Sequence, residues 1–156
     1  MKNLFYYETD IGKIGICCEQ NEITDVFLPE EAAGGTETIF ETELHREAFR
    51  QLQEYFSGAR KDFTLPLSAN GTEFQKRVWK SLLAIPYGET RSYKQVAEMA
   101  GCPRGYRAVG MANNRNPIPI FIPCHRVIGA NGTLVGYGGG LDLKKKLLSL
   151  EQERKE

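Results

Sequence analysis

Cys124 and His125 are the neighbouring residues best suited to do chemistry together, in the run Ile122-Pro123-Cys124-His125-Arg126-Val127. A cysteine reacts as its thiolate, and a nearby base or cation increases the thiolate fraction. Adjacent side chains on an extended strand point to opposite faces, so the sequence does not require the two to touch. A bridging water, with a carboxylate to orient the imidazole, would serve the same purpose. Taken alone, such a pair is more often a buried, inert thiol beside a histidine.

The other cysteines and the other histidine form no recognisable metal or disulfide pattern. Cys17 and Cys18 are adjacent and would lie on opposite faces of a strand, there is no Cys-x-x-Cys, and His45 is far from His125 in the chain. The sequence therefore predicts free thiols, as in a reducing cytoplasm, with no metal and no cofactor. The N-terminus has no signal-peptide pattern, and no apolar run approaches the ~20 residues of a membrane span. We expect a cytoplasmic protein that does not bind a membrane.

The charges are distributed unevenly, although the net charge of the 156 residues is zero. Residues 1–71 have 6 basic and 13 acidic side chains, whereas residues 72–156 have 14 basic and 7 acidic ones. The two halves therefore carry net charges of −7 and +7. Either the second half is a basic functional half, or solvated charge is segregated by chance. Composition alone leaves both interpretations open.

In the first half of the chain, the spacing of apolar residues predicts a small sheet and one helix. Three alternating apolar segments, at residues 4–7, 15–18 and 23–28, are separated by turn residues and indicate an antiparallel meander. A helix is predicted from about Glu41 to Phe56. His45 has charged neighbours on this helix, and we predict that it is a solvated surface residue.

The second half predicts helices, including a helix-turn-helix. Thr72 is the predicted N-cap of a first helix, and residues 92–100, capped by Ser92, and 104–114 would form a helical pair around a Gly- and Pro-containing turn. The second helix of the pair has small side chains and few that read base edges, which suits close approach to a backbone or a minor groove. Alternatively, Ala108 and Ala112 are only helix-packing positions.

Two further segments flank the cysteine. Residues 117–123 are apolar, extended and stiffened by proline, and they lead directly to Cys124. A last helix is predicted from Leu141 to about Arg154, with Leu143, Leu147 and Leu150 on one face.

The surroundings of the cysteine resemble a known active-site signature. Pro123-Cys124-His125-Arg126-Val127 is similar to that of the O6-alkylguanine-DNA alkyltransferases, or methylated-DNA-protein-cysteine methyltransferases. Further motifs of the family occur in the same order and spacing: Thr72-Glu73-Phe74-Gln75, Val78-Trp79, Ile85-Pro86-Tyr87-Gly88-Glu89-Thr90, Ser92-Tyr93, Arg107-Ala108-Val109-Gly110, Asn116-Pro117 and Gly136-Tyr137-Gly138-Gly139-Gly140-Leu141. The resemblance covers nearly all of residues 72–151. It implies direct, stoichiometric transfer of the alkyl group of O6-methylguanine, and of O4-methylthymine, in DNA to Cys124, which irreversibly inactivates the protein.

The resemblance also implies roles for individual catalytic residues. Cys124 would attack the alkyl carbon in an in-line displacement, His125 would act through water as the base, and Glu151 would orient His125. Asn116 would brace the turn between the helix-turn-helix and the active-site segment. Tyr93 would protonate N3 of the departing guanine. No metal is implied, because the cysteines and histidines that bind zinc in some relatives have no counterpart here.

Other residues would contact DNA or the flipped base. Arg107 resembles the arginine that fills the space left in the duplex by the flipped nucleotide. The full DNA-contacting set implied by the resemblance is Arg107, Tyr93, Ala108, Gly110, Met111, Ala112 and Arg115. The guanine pocket would be lined by Tyr137, Gly138, Val127 and Leu134. The expected partner is double-stranded DNA containing O6-alkylguanine, bound through a minor-groove helix-turn-helix by a monomeric protein.

The implied fold is mixed α/β, of the α+β kind. Residues 1–66 would form a ribonuclease-H-like domain with a three-stranded antiparallel sheet and a helix. Residues 67–156 would form a helical, winged helix-turn-helix domain that carries the active site. Two other classes of function fit less well, a DNA-binding module without chemistry and a cysteine hydrolase. The presence of Cys124 disfavours a passive damage-binding relative, and the histidine directly after the cysteine disfavours a hydrolase.

Overall fold

The alternation of apolar residues at the start of the chain produces three antiparallel strands, as predicted. They are β1 (Asn3–Thr9), β2 (Gly12–Glu19) and β3 (Glu22–Phe27). A two-residue strand, β4 (Thr38–Ile39), pairs with β1 in parallel, so the strand order is β3-β2-β1-β4. This strand was not predicted, because two residues are too few to show a period.

The computed structural model describes residues 1–154, and its mixed α/β class confirms the predicted fold class. The chain divides into two compact units. One contains residues 1–70 and 117–119, and the other contains residues 71–116 and the chain from Ile120 onward. Within the described residues, no helix has both the length and the apolar character that crossing a membrane requires.

The helix of the first unit, α1 (Glu43–Ser57), begins after the N-cap Thr42 and ends at Gly58. Gly58 has a φ of 86°, the left-handed conformation that glycine adopts without strain. Leu52 and Tyr55 lie in the core with exposed fractions of 1% or less. The helix therefore starts and stops close to where capping residues and periodicity predict.

His45 is fully buried, so the prediction of a solvated surface histidine is wrong. The backbone N–H of Thr42 donates to Nδ1 of His45 at 3.0 Å, which leaves Nε2–H to donate to the carbonyls of Asn3 (3.1 Å) and Ile16 (3.0 Å). His45 thus completes a capping box at the third position of α1 and links the helix to β1 and β2. The charged residues next to it in sequence lie on other faces of the helix, and for this reason they gave a misleading picture of its environment.

We expect the stability of the protein to fall as the pH drops below about 6.5, partly because of His45. Burial lowers the pKa of His45 in the folded state, so the unfolded chain binds the proton more readily. The free energy of unfolding then rises with pH in this range, by up to about 1.4 kcal/mol per proton and pH unit. His45→Gln removes the titrating group and retains a residue type that completes capping boxes. Urea unfolding at about pH 7 and about pH 5.5 should show a smaller pH dependence in this variant, and an unchanged dependence would contradict the assignment.

The second unit consists mainly of helices: α2 (Glu73–Leu83), α3 (Tyr93–Met99), α4 (Tyr106–Asn114) and α5 (Leu141–Glu153), with the short parallel strands β5 (Arg91–Ser92) and β6 (Val127–Ile128). Thr72 and Ser92 cap α2 and α3, as predicted, and a glutamine completes each capping box. Helix α3 packs against α4, with Ala97 and Val109 fully buried. The indole N–H of Trp79 donates to the carbonyl of Ala112 at 2.8 Å, which ties α2 to α4.

The segment that leads to the cysteine is buried and sharply bent. Ile120 has a φ of 74°, a conformation that is exceptional for a β-branched residue and costs on the order of 1–3 kcal/mol. Cys124–Arg126 is a single 3₁₀ turn. The extended geometry assumed from the sequence for the adjacent Cys124 and His125 side chains is therefore wrong, because the chain is already turning at the cysteine.

Helix α5 presents a different face to the core from the predicted one. Its buried residues are Lys144, Leu147 and Glu151, whereas Leu143 and Leu150 are half-buried. The three buried residues are spaced by three and four positions and thus lie on one side of the helix. The inward face carries a basic residue, Lys144, and an acidic one, Glu151. A prediction based on the spacing of apolar residues does not include either of them.

Candidate active site

Cys124 lies at the start of the 3₁₀ turn with 5% of its surface exposed. Two asparagines hold the backbone around it. Asn113, near the end of α4, donates from Nδ2 to the carbonyl of Cys124 at 3.3 Å, and Asn116 donates from Nδ2 to the carbonyl of Ile122 at 2.9 Å. Asn116 therefore lies where a bracing residue would act, and Asn113 supplies a second contact that sequence reasoning missed.

His125 is fully buried and paired with a carboxylate. Its Nε2 lies 2.7 Å from Oε2 of Glu151, 26 residues further along the chain. Because a carboxylate accepts, Nε2 carries the proton and Nδ1 is the basic nitrogen. Within residues 1–154, Nδ1 has no hydrogen-bond partner. Burial lowers the pKa of His125, so the ring is neutral and able to accept a proton through Nδ1.

The same carboxylate binds Arg126, which sequence reasoning left without a role. Arg126 Nε donates to Oε1 of Glu151 at 2.8 Å, and Nη2 donates to Oε2 at 3.0 Å. Burial alone would raise the pKa of Glu151, but hydrogen bonds and charge from His125 and Arg126 lower it to about 2. Glu151 is therefore a permanent anion at neutral pH that orients His125 without taking its proton.

Lys144 is a second buried cation that sequence reasoning missed. Its Nζ donates to the carbonyls of Val135 (2.9 Å) and Gly136 (3.3 Å), and burial lowers its pKa. Lys144 precedes Glu151 by seven residues, or two helical turns, so the two residues lie on the same face of α5. The predicted contact of Glu151 with His125 therefore also indicated that Lys144 is directed inward. The contact holds the glycine-containing segment before α5 in place.

Tyr93, the first residue of α3, is directed at the same segment. Its hydroxyl donates to the carbonyl of Val135 at 3.0 Å. Burial, together with the charge of a Cys124 thiolate, raises the pKa of Tyr93. Gly110 of α4 faces its ring, since a Cβ added at Gly110 would lie 3.6 Å from it. The phenol therefore stays protonated and is available as a donor.

A groove with a volume of about 410 Å³ opens between α3, α4 and this segment. Its lining residues are Tyr93, Tyr106, Arg107, Gly110, Met111, Asn114, Val135 and Gly136. The groove brings together four of the seven predicted DNA-contacting residues: Tyr93, Arg107, Gly110 and Met111. The four expected guanine-pocket residues, Tyr137, Gly138, Val127 and Leu134, do not line it, and Val127 is fully buried in β6.

The outer face of α4 is exposed and partly basic. Arg107, Ala108, Met111 and Arg115 are exposed, Met111 to 61%. Ala112 is only 3% exposed and receives the indole N–H of Trp79 through its carbonyl. Together with Ala108, Met111 and Arg115, it lines an open pocket beside the start of α2. Contact of Ala112 with DNA therefore stays a prediction, as does the alternative that Ala108 and Ala112 are only helix-packing positions.

Two of the other thiols, Cys17 and Cys18, are buried in β2. Burial raises the pKa of Cys17 to about 12 and that of Cys18 to about 11, which makes both unreactive as nucleophiles at neutral pH. Among the described residues, no group of three or more His, Cys, Asp or Glu side chains is arranged to hold a metal ion.

Comparisons with known proteins match both halves of the chain. Residues 73–153 match the family profile described as 6-O-methylguanine DNA methyltransferase, DNA binding domain, and residues 5–69 match the ribonuclease-like domain of the same family. The constitutive methylated-DNA–protein-cysteine methyltransferase of Bacillus subtilis is 50% identical over 153 residues, covering 93% of this chain and 92% of the relative. The methylated-DNA–protein-cysteine methyltransferase of Methanosarcina barkeri is 64% identical over 107 residues, 69% of this chain and 68% of the relative. Among solved structures, Mycobacterium tuberculosis OGT in complex with DNA superimposes with a TM-score of 0.92 at 43% identity, covering 97% of this chain and 94% of that one.

Proposed function

Because the chain belongs to the 6-O-methylguanine DNA methyltransferase family, we propose that it repairs DNA by direct transfer of the alkyl group of O6-methylguanine to Cys124. The observation that carries the proposal is the placement of Cys124 beside a neutral His125 whose Nε2–H is held by Glu151. This arrangement leaves a basic nitrogen on a buried ring in the same 3₁₀ turn as the buried thiol. We include O4-methylthymine as a second substrate of the same site.

The transfer is a displacement in which every proton and electron pair has a destination. His125 Nδ1 accepts the thiol proton of Cys124 through a bridging water, and the thiolate attacks the alkyl carbon in line with the carbon–O6 bond. The S–C bond forms as the C–O6 bond breaks, and the bonding pair goes to the guanine. Tyr93 supplies a proton to N3 of the guanine, which neutralises that charge and yields the unmodified base. The proton that His125 took from Cys124 is released to solvent, from which the Tyr93 phenolate is reprotonated. The thioether left on Cys124 has no leaving group, so each chain acts once.

Tyr93 is our candidate for the donor to N3 of the departing guanine. Its raised pKa supports this role, because a phenol that stays protonated can donate a hydrogen bond to developing negative charge. The hydroxyl donates to the carbonyl of Val135 when no base is bound. Binding of the base must therefore exchange one hydrogen-bond acceptor for another of similar strength, which costs little.

We assign DNA binding to the exposed face of α4 within residues 67–156, and a supporting, ribonuclease-H-like role to residues 1–66. Arg107, Arg115 and the small Ala108 favour close approach to a duplex. The target base would flip past Tyr93 towards Cys124, into a pocket that we propose is lined by Tyr137, Gly138, Val127 and Leu134. One chain suffices for this geometry, so we propose a monomer that acts in the cytoplasm on double-stranded DNA.

The proposal is tested by the mass of the intact protein after incubation with a duplex that contains O6-methylguanine. We expect one added methyl group per chain, located on the peptide that contains Cys124, and an unmethylated control duplex should add none. Repeated turnover of excess methylated duplex would contradict single-use transfer. A stable complex with the damaged duplex without any mass change would instead support the passive, damage-binding class.

Arg107→Ala should slow methyl transfer from duplex DNA by about 10- to 100-fold, because filling the space of a flipped nucleotide offsets an unstacking cost of a few kcal/mol. Transfer from the free base O6-benzylguanine requires no flipping, so its rate should change less than about twofold. Single-turnover rates with both substrates, followed by intact mass, check this prediction. Equal losses with the two substrates would place Arg107 in the pocket chemistry instead.

A further inference from the structure

Arg126 is the one charged residue of the Pro123-Cys124-His125-Arg126-Val127 run for which the proposed chemistry has no use. Only 6% of its surface is exposed, and all three nitrogens of its guanidinium group donate hydrogen bonds. Nε and Nη2 bind the two oxygens of Glu151, and Nη1 donates to the carbonyl of Ile85 at 2.7 Å. A guanidinium that is buried in this way is held in one orientation.

We propose that Arg126 is a positioning residue that fixes the tautomer of His125 and keeps its ring neutral, by binding both oxygens of the Glu151 carboxylate. The proposal rests on the alkyl-transfer function proposed above, for which it names an additional determinant. Arg126 acts through Glu151 and has no contact of its own with the alkyl group or the guanine.

The geometry around the carboxylate supports this role. Oε2 of Glu151 receives His125 Nε2 and Arg126 Nη2, while Oε1 receives Arg126 Nε and, at 3.4 Å, the backbone N–H of Gly88. With four donors around it, the carboxylate cannot rotate away from His125 without leaving the guanidinium partly unpaired. The proton of the imidazole is therefore fixed on Nε2, and Nδ1 is fixed as the acceptor.

The charges around the imidazole support the same role. The charged groups that face His125 are Glu151 and Lys144 from α5 and Arg126 from its own turn. A Cys124 thiolate would in turn face Lys144. Glu151 favours an imidazolium, whereas burial, Arg126 and Lys144 oppose it. Without the charge of Arg126, the pair of His125 and Glu151 would bind a proton at a higher pH, and an imidazolium cannot accept the proton of Cys124.

The test is the pH dependence of single-turnover transfer from O6-benzylguanine, followed by intact mass. The rate of transfer is expected to rise with pH as His125 loses its proton, and this rise is the rising limb of the profile. In Arg126→Gln, which removes the charge, the rising limb should move to higher pH by about one unit. Transfer by this variant should then be about tenfold slower at pH values below the limb and much less affected above it. Arg126→Lys retains a cation and should restore the limb to within about a third of that shift. The exposed exchange Lys145→Arg on α5 is the control and should leave the limb in place.

A purely structural role for Arg126 would give a different result. It would lower the melting temperature and the rate of Arg126→Gln by one factor at every pH, with no shift of the limb, and that result would overturn the proposal. A wild-type protein that acquires no benzyl or methyl group would instead reject the proposed function itself. The two failures are therefore distinguishable.

A second measurement needs neither a variant nor a substrate, and it applies even if Arg126→Gln does not fold. The chain has two histidines, so the imidazole ¹⁵N spectrum of the wild-type protein contains two rings only. We expect His125 to be neutral at about pH 7, with its proton on Nε2. An imidazolium, or a proton on Nδ1, would overturn the proposal.

Discussion

Cys124→Ser is expected to abolish alkyl transfer, with a loss of at least about a thousandfold, and to leave DNA binding intact. The reason is the acidity of the nucleophile: a serine hydroxyl is far less acidic than a thiol, and a neutral imidazole next to it cannot generate enough alkoxide to attack an unactivated alkyl carbon. Cys124 is only 5% exposed, and its backbone is held by Asn113. Exchange of one atom therefore leaves the exposed face of α4 unchanged.

Two measurements check this expectation. Intact mass after incubation with methylated duplex should show no adduct on the variant, and a mobility-shift titration should give an affinity within about twofold of the wild type. The matched control is Cys102→Ser, a partly exposed cysteine outside the active-site turn, which should still acquire one methyl group. Normal transfer by Cys124→Ser would remove Cys124 from the role of acceptor.

Glu151→Gln should have the second large effect, on stability as well as on transfer. The neutral amide would leave the buried guanidinium of Arg126 without a counter-charge, and breaking a buried ion pair in this way costs about 3–5 kcal/mol. The amide would also no longer fix the orientation of His125, so we expect transfer to slow by at least about 10- to 100-fold. Urea unfolding and the single-turnover rate measure the two effects separately.

The control for this exchange lies on the same helix. Glu153 is exposed on α5, so Glu153→Gln should change the free energy of unfolding by no more than about 0.5 kcal/mol. Acid should reproduce part of the loss in the wild-type protein. The folded-state pKa of Glu151, about 2, lies below its ordinary value of 4.5, so this stabilisation is present above about pH 4.5 and is lost as the pH falls towards 2. A stable, active Glu151→Gln protein would contradict the role given to the carboxylate.

Local sequence patterns were sufficient for much of the fold. The period-two alternation before Phe27 predicted three strands, and Thr72 and Ser92 predicted the starts of two helices. These features depend on residues within one turn of each other, where capping hydrogen bonds and side-chain alternation operate. The motif around Cys124 likewise predicted the nucleophile, because its neighbours in sequence are part of the signature.

What the sequence by itself determined was therefore the position of the predicted acceptor, Cys124, and most of the elements around it. The tertiary structure alone decided how the charged groups near it are paired. Arg126 meets Glu151 across 25 residues, Lys144 meets the carbonyl of Val135, and His45, expected at the surface, meets Ile16 across 29 residues. A polar residue is stable in a core only if partners satisfy it, and those partners come from distant parts of the chain. Local periodicity does not indicate which distant residues will pair. The groups that surround His125 and keep it neutral could therefore be identified only from the tertiary structure.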